Sequence, residues 1–366
     1  MTRLSHGHLG FLLMTALILI AVSASAAVQG PCANCHTMHN SQAGTDMVAG
    51  GAGVQQTLLV EDCVGCHTNA GSETIVDMGT GDRVPIVFNT VEPTYPPDGT
   101  SSSALAGGNF YWVAQPGGDA MGHNVYGIAE TDSVLSGPAW TFFAPGSSTS
   151  CSPCHDTLAT ENSGCKGCHY PRHHAGGSAE IVEADGGWYR FLGALPAMMA
   201  DPNSFGVKGI EDEDWEQNPS ATNHNGYFGT TDVYAKEFMP YLTHSTIGQF
   251  CSGCHGNFHH EMNAAQPADY TGAWLRHPSD VVIPDSGEYA GMNAYNPLAP
   301  VAKTDLAGKK NYATVELGHD AVTCISCHRP HGSPYPDMLR WDYDTCISGT
   351  QNDECGCFVC HTTKDS

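Results

Sequence analysis

The residues best equipped for chemistry are cysteines and histidines in one recurring order, Cys-x-x-Cys-His. Seven copies occur. The first four are Cys32-Ala-Asn-Cys35-His36, Cys63-Val-Gly-Cys66-His67, Cys151-Ser-Pro-Cys154-His155 and Cys165-Lys-Gly-Cys168-His169. Cys251-Ser-Gly-Cys254-His255, Cys324-Ile-Ser-Cys327-His328 and Cys357-Phe-Val-Cys360-His361 complete the set. In this order the two thiols add across the vinyl groups of a haem, and the adjacent histidine reaches the iron from one face. A single copy would also suit a redox dithiol or half of a zinc site. Seven copies, each with a histidine in the same place, fit neither, because zinc sites need paired halves. The sequence therefore predicts seven haem c groups, with His36, His67, His155, His169, His255, His328 and His361 as proximal iron ligands.

Each iron then needs a group on its other face. Eleven histidines lie outside the motifs and the segment Met1–Ala27, which is ample for bis-histidine ligation throughout. His39 and His331 each follow a motif histidine by three residues, and His173 and His259 follow theirs by four. A histidine so close to its own attachment point does not swing easily to the far face of that haem; it is placed to reach the next one. His123, His224, His277 and His319 sit in loop-like contexts suited to long-range ligation. These eight are the distal candidates, one more than seven irons require. For each, the plain alternative is a solvated or hydrogen-bonded histidine. His174, His244 and His260 have weaker claims, and Met121 near His123 is an alternative ligand that would raise a potential.

The elements that position these groups are sparse. The attachment sites fall as a spaced pair beginning at Cys32 and Cys63, a close pair at Cys151 and Cys165, a single site at Cys251 and a final pair at Cys324 and Cys357. Stretches such as Glu92–Gly108 and Ala114–Gly122 are rich in glycine and proline, with little sustained helical or strand periodicity. Short helices are expected within Asp232–His260 and Val182–Ala194, and a short strand at Asn109–Ala114. The expected fold class is mostly irregular loop, with short helices, few short strands and a stacked haem chain as core.

The ends and totals set the compartment. Arg3, an apolar run from Leu9 to Val22 and the small residues Ala24-Ser25-Ala26-Ala27 read as a secretory signal peptide over residues 1–27. Residues 28–366 would form one seven-haem cytochrome domain, exported and with no membrane span. The formal charge of −24 becomes −25 on processing, since Arg3 leaves and no acid does. Such a chain is a poor partner for nucleic acid or anionic membranes, though the charge also serves plain solubility. Cys346 and Cys355 stand outside the motifs, and a disulfide closing Ile347–Glu354 is the default in an exported protein. The alternatives are a free thiol or a bond to another subunit.

The chain resembles the outer-surface multihaem cytochromes of metal-reducing bacteria, especially the six-haem, OmcS-type members that polymerise into filaments. The resemblance is carried by Cys32-Ala-Asn-Cys35-His36-Thr37-Met38-His39-Asn40-Ser41, Gly122-His123-Asn124 and Trp188-Tyr189-Arg190-Phe191-Leu192-Gly193. It continues through Cys251 to His259, Leu275-Arg276-His277-Pro278, Gly318-His319 and Cys324-Ile-Ser-Cys327-His328-Arg329-Pro330-His331. These anchors span residues 32 to 361, while the spacers match poorly. The motif Cys151–His155 looks like an insertion relative to six haems, and Asp212–Asn225 with His224 has no obvious counterpart and would serve the extra haem. The resemblance implies a continuous haem chain in which His39 ligates a haem of the adjacent subunit, giving a homopolymer.

Three function classes follow. The first is an extracellular or cell-surface electron conduit, not an enzyme, passing electrons to other redox proteins or metal oxides. The second is a multihaem reductase with one ligand-binding haem, which needs an altered motif or a ligand shortage, and neither is present. The third is a structural or haem-storing surface protein, which leaves the dense histidine supply unexplained.

Overall fold

The computed structural model describes residues 31–34, 36, 39–42, 45–46, 54, 63–78, 83–95, 104–132, 158–159, 164–169, 173, 189–192, 206–229, 246–252, 255, 277–306 and 311–365. Within these residues regular structure is scarce, as glycine and proline density dictates. The helices Ile247–Ser252 and Gly356–Cys360 are six and five residues long. The strands are two or three residues each and pair only two at a time. Ile75–Asp77 runs antiparallel to Arg83–Pro85, and Gly209–Ile210 to Gly226–Tyr227. Val281–Val282 pairs with Ala321–Val322, and Thr68–Asn69 runs parallel to Phe88–Asn89. Among the described residues no helix is long and apolar enough to cross a membrane.

Among the described residues, buried apolar side chains fall into four small groups, each packed against a motif cysteine. Leu192, Val207, Ile247 and Ile325 lie against Cys251. Ile283, Met292, Val301 and Tyr312 lie near Cys360. Phe110, Val113 and Val125 back Cys165. Leu298, Ala299 and Trp341 back Cys327 and Cys357. Polar side chains hold the loops between these groups. Asn109 Oδ1 accepts from the Asn89 and Tyr111 amides at 3.2 and 2.9 Å. Arg340, 2% exposed, donates to the carbonyls of Leu298, Ile325 and Pro297 at 3.1–3.3 Å. A buried guanidinium satisfied by carbonyls pins irregular backbone where no ladder exists.

One sequence expectation changes here. Asn109–Ala114 is a turn rather than a strand. The Ala114 amide donates to the Phe110 carbonyl at 3.1 Å, and the Asn109 side chain caps Tyr111. An Asx cap of this kind diverts the backbone from extended pairing. Of Asp232–His260, the helix covers Ile247–Ser252 among the described residues. Of Val182–Ala194, residues 189–191 form one 3-10 turn with Arg190 and Phe191 at φ of 50° and 53°. Residues 1–27, the expected signal peptide, lie outside the described residues. Cys346 and Cys355 are joined in a disulfide. Closing so short a loop contributes roughly 2.5–3 kcal/mol in the chain-entropy picture.

Candidate functional site

Each described motif makes the same local bond. The amide of the histidine donates to the carbonyl of the first cysteine, four residues back. The distances are 2.7 Å for His36 to Cys32, 2.9 Å for His67 to Cys63 and 2.8 Å for His169 to Cys165. They are 2.9 Å for His255 to Cys251, 3.0 Å for His328 to Cys324 and 2.9 Å for His361 to Cys357. One helical turn therefore sets residues i, i+3 and i+4 on a common face. That face presents two thiols and an imidazole together, the arrangement a thioether-linked haem requires. Cys35, Cys254 and the whole of Cys151, Cys154 and His155 lie outside the described residues, as does His259.

The rings are then oriented by their Nδ1 atoms. His67 Nδ1 donates to the Pro85 carbonyl at 2.7 Å, His169 Nδ1 to Arg190 at 2.9 Å and His328 Nδ1 to Asp337 at 2.7 Å. Two distal candidates follow suit: His123 Nδ1 donates to Pro330 at 2.8 Å and His277 Nδ1 to Pro278 at 2.9 Å. A carbonyl holding Nδ1–H fixes the tautomer and leaves Nε2 as the metal-facing atom. Burial adds to this. It lowers the pKa of His67, His123, His169 and His328, which keeps each ring in the neutral form that ligates. His331 is pushed down to about 3, by burial first and then by the charges of His169 and His123. Gly107 allows the close approach of this ring, since a Cβ there would meet His331 Nδ1 at 2.8 Å.

Four described motif histidines face a second, distant histidine. Ring centroids are 6.4 Å apart for His67 and His173, 6.1 Å for His123 and His255, 5.9 Å for His169 and His331, and 6.2 Å for His277 and His361. Two imidazoles on opposite sides of one metal, with bonds of ~2.0–2.1 Å and about 1.1 Å from nitrogen to ring centre, stand ~6.3 Å apart. The observed spacing fits one iron between each pair. His173, four residues past His169, faces His67 instead, and His331 faces His169 rather than its neighbour His328. His36, His39 and His319 are exposed and do not belong to these four pairs.

The pairs are neighbours in turn. The charge of His67 bears on His169, that of His123 on His331 and that of His328 on His123. Cys251 of the fifth motif is raised by its contact with Cys324 of the sixth, then by burial. Cys327 is pushed up to about 12 by burial and by Cys360 and Cys357 of the seventh. The sites thus follow one another as second, fourth, fifth, sixth and seventh motif.

His224 is the distal candidate packed among tyrosines, apart from these four pairs. It is fully buried, stacked on Tyr295 with centroids 3.6 Å apart and edge-on to Tyr312. Its Nδ1 lies 2.6 Å from the Asn225 carbonyl and its Nε2 3.3 Å from that of Tyr312, so the single N–H of the neutral ring donates to the nearer carbonyl. The surrounding segment is ordered by Asn225, whose amide donates to Glu216 Oε1 at 2.7 Å and whose Nδ2 donates to the Tyr227 hydroxyl at 3.0 Å. Replacing His224 with Phe should lower stability by about 1–3 kcal/mol through the abandoned Asn225 carbonyl, leaving every haem low-spin. Denaturant midpoints and low-temperature spectra check both halves; a new high-spin haem would return His224 to the ligand set. Sequence reasoning also missed the Nδ1 acceptors. The only local signal for them is at His277-Pro278, where the acceptor is the next residue.

Comparison with known proteins agrees with this chemistry. The family model "Doubled CXXCH motif" matches residues 319–366, which hold the sixth and seventh motifs. The C-type cytochrome OmcS of Geobacter sulfurreducens is 25% identical over 401 residues, covering 89% of this chain and 83% of that protein. Two solved structures are also similar. The Outer Membrane Cytochrome S filament from Geobacter sulfurreducens has a TM-score of 0.47 and 20% identity, over 89% of this chain and 87% of that one. The OmcS nanowires from the same organism give a TM-score of 0.48 and 19% identity, over 93% of each chain. By its doubled motif over residues 319–366 and its likeness to OmcS along most of its length, this chain is similar to the OmcS-type c-type cytochromes.

Proposed function

We propose that this chain holds seven haem c groups and serves as an extracellular electron conduit, one protomer of a polymeric filament. The observation that carries the proposal is the 5.9–6.4 Å spacing of opposed imidazoles, each pair joining a motif histidine to a distant one. When bound, haem supplies one-electron iron chemistry, and two histidine ligands leave the iron no open position for substrate. The chain's own residues do the rest. The cysteines of each motif tether, the turn aims the imidazole, and a carbonyl or carboxylate at Nδ1 fixes the ring.

With His224 set aside, the ligands close. His173, His123, His331 and His277 complete the sites of His67, His255, His169 and His361. His39, His259 and His319 remain for those of His36, His155 and His328. His39 acts across the subunit boundary, in keeping with OmcS, a relative whose structures are described as filaments and nanowires. A head-to-tail contact of this kind propagates instead of closing. The succession of described sites supplies the order of the relay, and export through a signal peptide at residues 1–27 supplies its place. Metal oxides or other redox proteins would then be its acceptors or donors, and the chain is a carrier rather than an enzyme.

Intact mass and low-temperature paramagnetic resonance test this together. The mature protein is expected to carry seven haems, all low-spin. Fewer haems by mass, or a high-spin haem that binds carbon monoxide or nitrite, would overturn the reading.

A further inference from the structure

The Nδ1 atoms of His67, His123, His169, His277 and His328 share one kind of acceptor, a backbone carbonyl, and the seventh motif differs. There His361 Nδ1 lies 3.2 Å from Glu288 Oε1, a carboxylate. Glu288 is held in place for this contact. It sits in the 3-10 turn Gly287–Tyr289, and its carbonyl accepts from both the amide and the hydroxyl of Thr362, at 2.9 and 2.7 Å. Thr362 directly follows His361, so the carboxylate and the ring are fixed on a common frame. The other carboxylate oxygen meets Lys364 Nζ at 3.5 Å, but that side chain is 54% exposed and its pull is screened by water.

A carboxylate attracts the Nδ1 proton more strongly than an amide carbonyl does, which raises the electron donation of Nε2. A stronger donor favours the ferric over the ferrous state and lowers the midpoint potential. Of the motif rings of His67, His169, His328 and His361, this is the one held by a charged group.

We infer that Glu288 is a positioning residue that makes the haem at Cys357, Cys360 and His361 more reducing than its carbonyl-anchored neighbours. The inference rests on the haem reading above and deepens it by assigning the direction of a potential difference along the relay. It gives the seventh site a bias toward the ferric state that the sites of His67, His169 and His328 lack.

The test uses the full haem-loaded protein. In Glu288→Gln, one component of the redox titration is expected to move positive by at least a tenfold change in its ferric-to-ferrous ratio, ~59 mV for one electron. The largest g value of that same haem should move with it, while the other components stay in place. Lys364→Gln, which removes the competing cation, is expected to move the same component in the negative direction. Opposite signs from two substitutions on one carboxylate are not produced by loss of packing. If both variants carry seven low-spin haems and no component moves, the inference fails and the haem reading stands. If mass mapping finds no haem on Cys357 and Cys360 of the unaltered protein, the haem reading fails with it.

Discussion

Produced without haem attachment, this chain is expected to show no cooperative thermal transition and no slowly exchanging amides. The reason lies in the size of its elements. Among the described residues, helices of five and six residues are too short to persist alone in water, and two-stranded pairs of two or three residues are no better. The four apolar groups hold between three and eight buried residues each, and motif cysteines line all of them. Folding must offset about 1–2 kcal/mol of backbone entropy per ordered residue. Groups of this size do not, so the broad apolar faces of the tethered macrocycles supply the missing burial. Calorimetry on protein from cells lacking haem-attachment machinery is the direct measurement. A sharp transition, with the ~12–15 cal/mol/K per residue heat-capacity change of a folded domain, would refute the idea.

The second large effect is expected at His39. In His39→Asn the protein should remain as single protomers under conditions where the unaltered protein forms fibres, and one haem should become high-spin. Asparagine is the informative replacement because of the backbone. His39 and Asn40 lie at φ of 58° and 71°, in the left-handed region that asparagine tolerates and alanine resists. Asn40 is buried and continues into the short hairpin of Ser41–Gln42 and Thr45–Asp46, whereas His39 is exposed. The substitution thus removes the proposed ligand while keeping the turn that displays it. Negative-stain micrographs and spin-state counting give the result. Unaltered fibres with all haems low-spin would mean that His39 is not shared between subunits.

Much of this molecule is legible in its sequence because its chemistry is local. The spacing of Cys32 to His36, or of Cys324 to His328, already implies one turn and one shared face. The scarcity of regular structure follows equally from glycine and proline. The choice of partner for each ring is another matter. His67 meets His173 and His169 meets His331, pairs so far apart along the chain that no periodicity links them. His224 shows the same limit from the other side. An Asn-His-Asn loop reads as a ligand until Tyr295, Tyr312 and Glu216 are seen to enclose it. Glu288 was invisible for a similar reason, since nothing beside His361 in the chain announces an acid from a distant upstream turn.

The five-residue turn closed by a single amide-to-carbonyl bond has a consequence for how such chains diversify. Everything a motif needs from its own stretch of sequence is contained in that turn, and the ring anchor is most often a carbonyl, which any amino acid provides. A motif is therefore a cassette that can be inserted, moved or lost with few compensating substitutions around it. Spacers can drift freely as long as a distant histidine still arrives. Divergence in this lineage should then run by gain and loss of whole motifs, with the turns unchanged and the loops between them almost unconstrained.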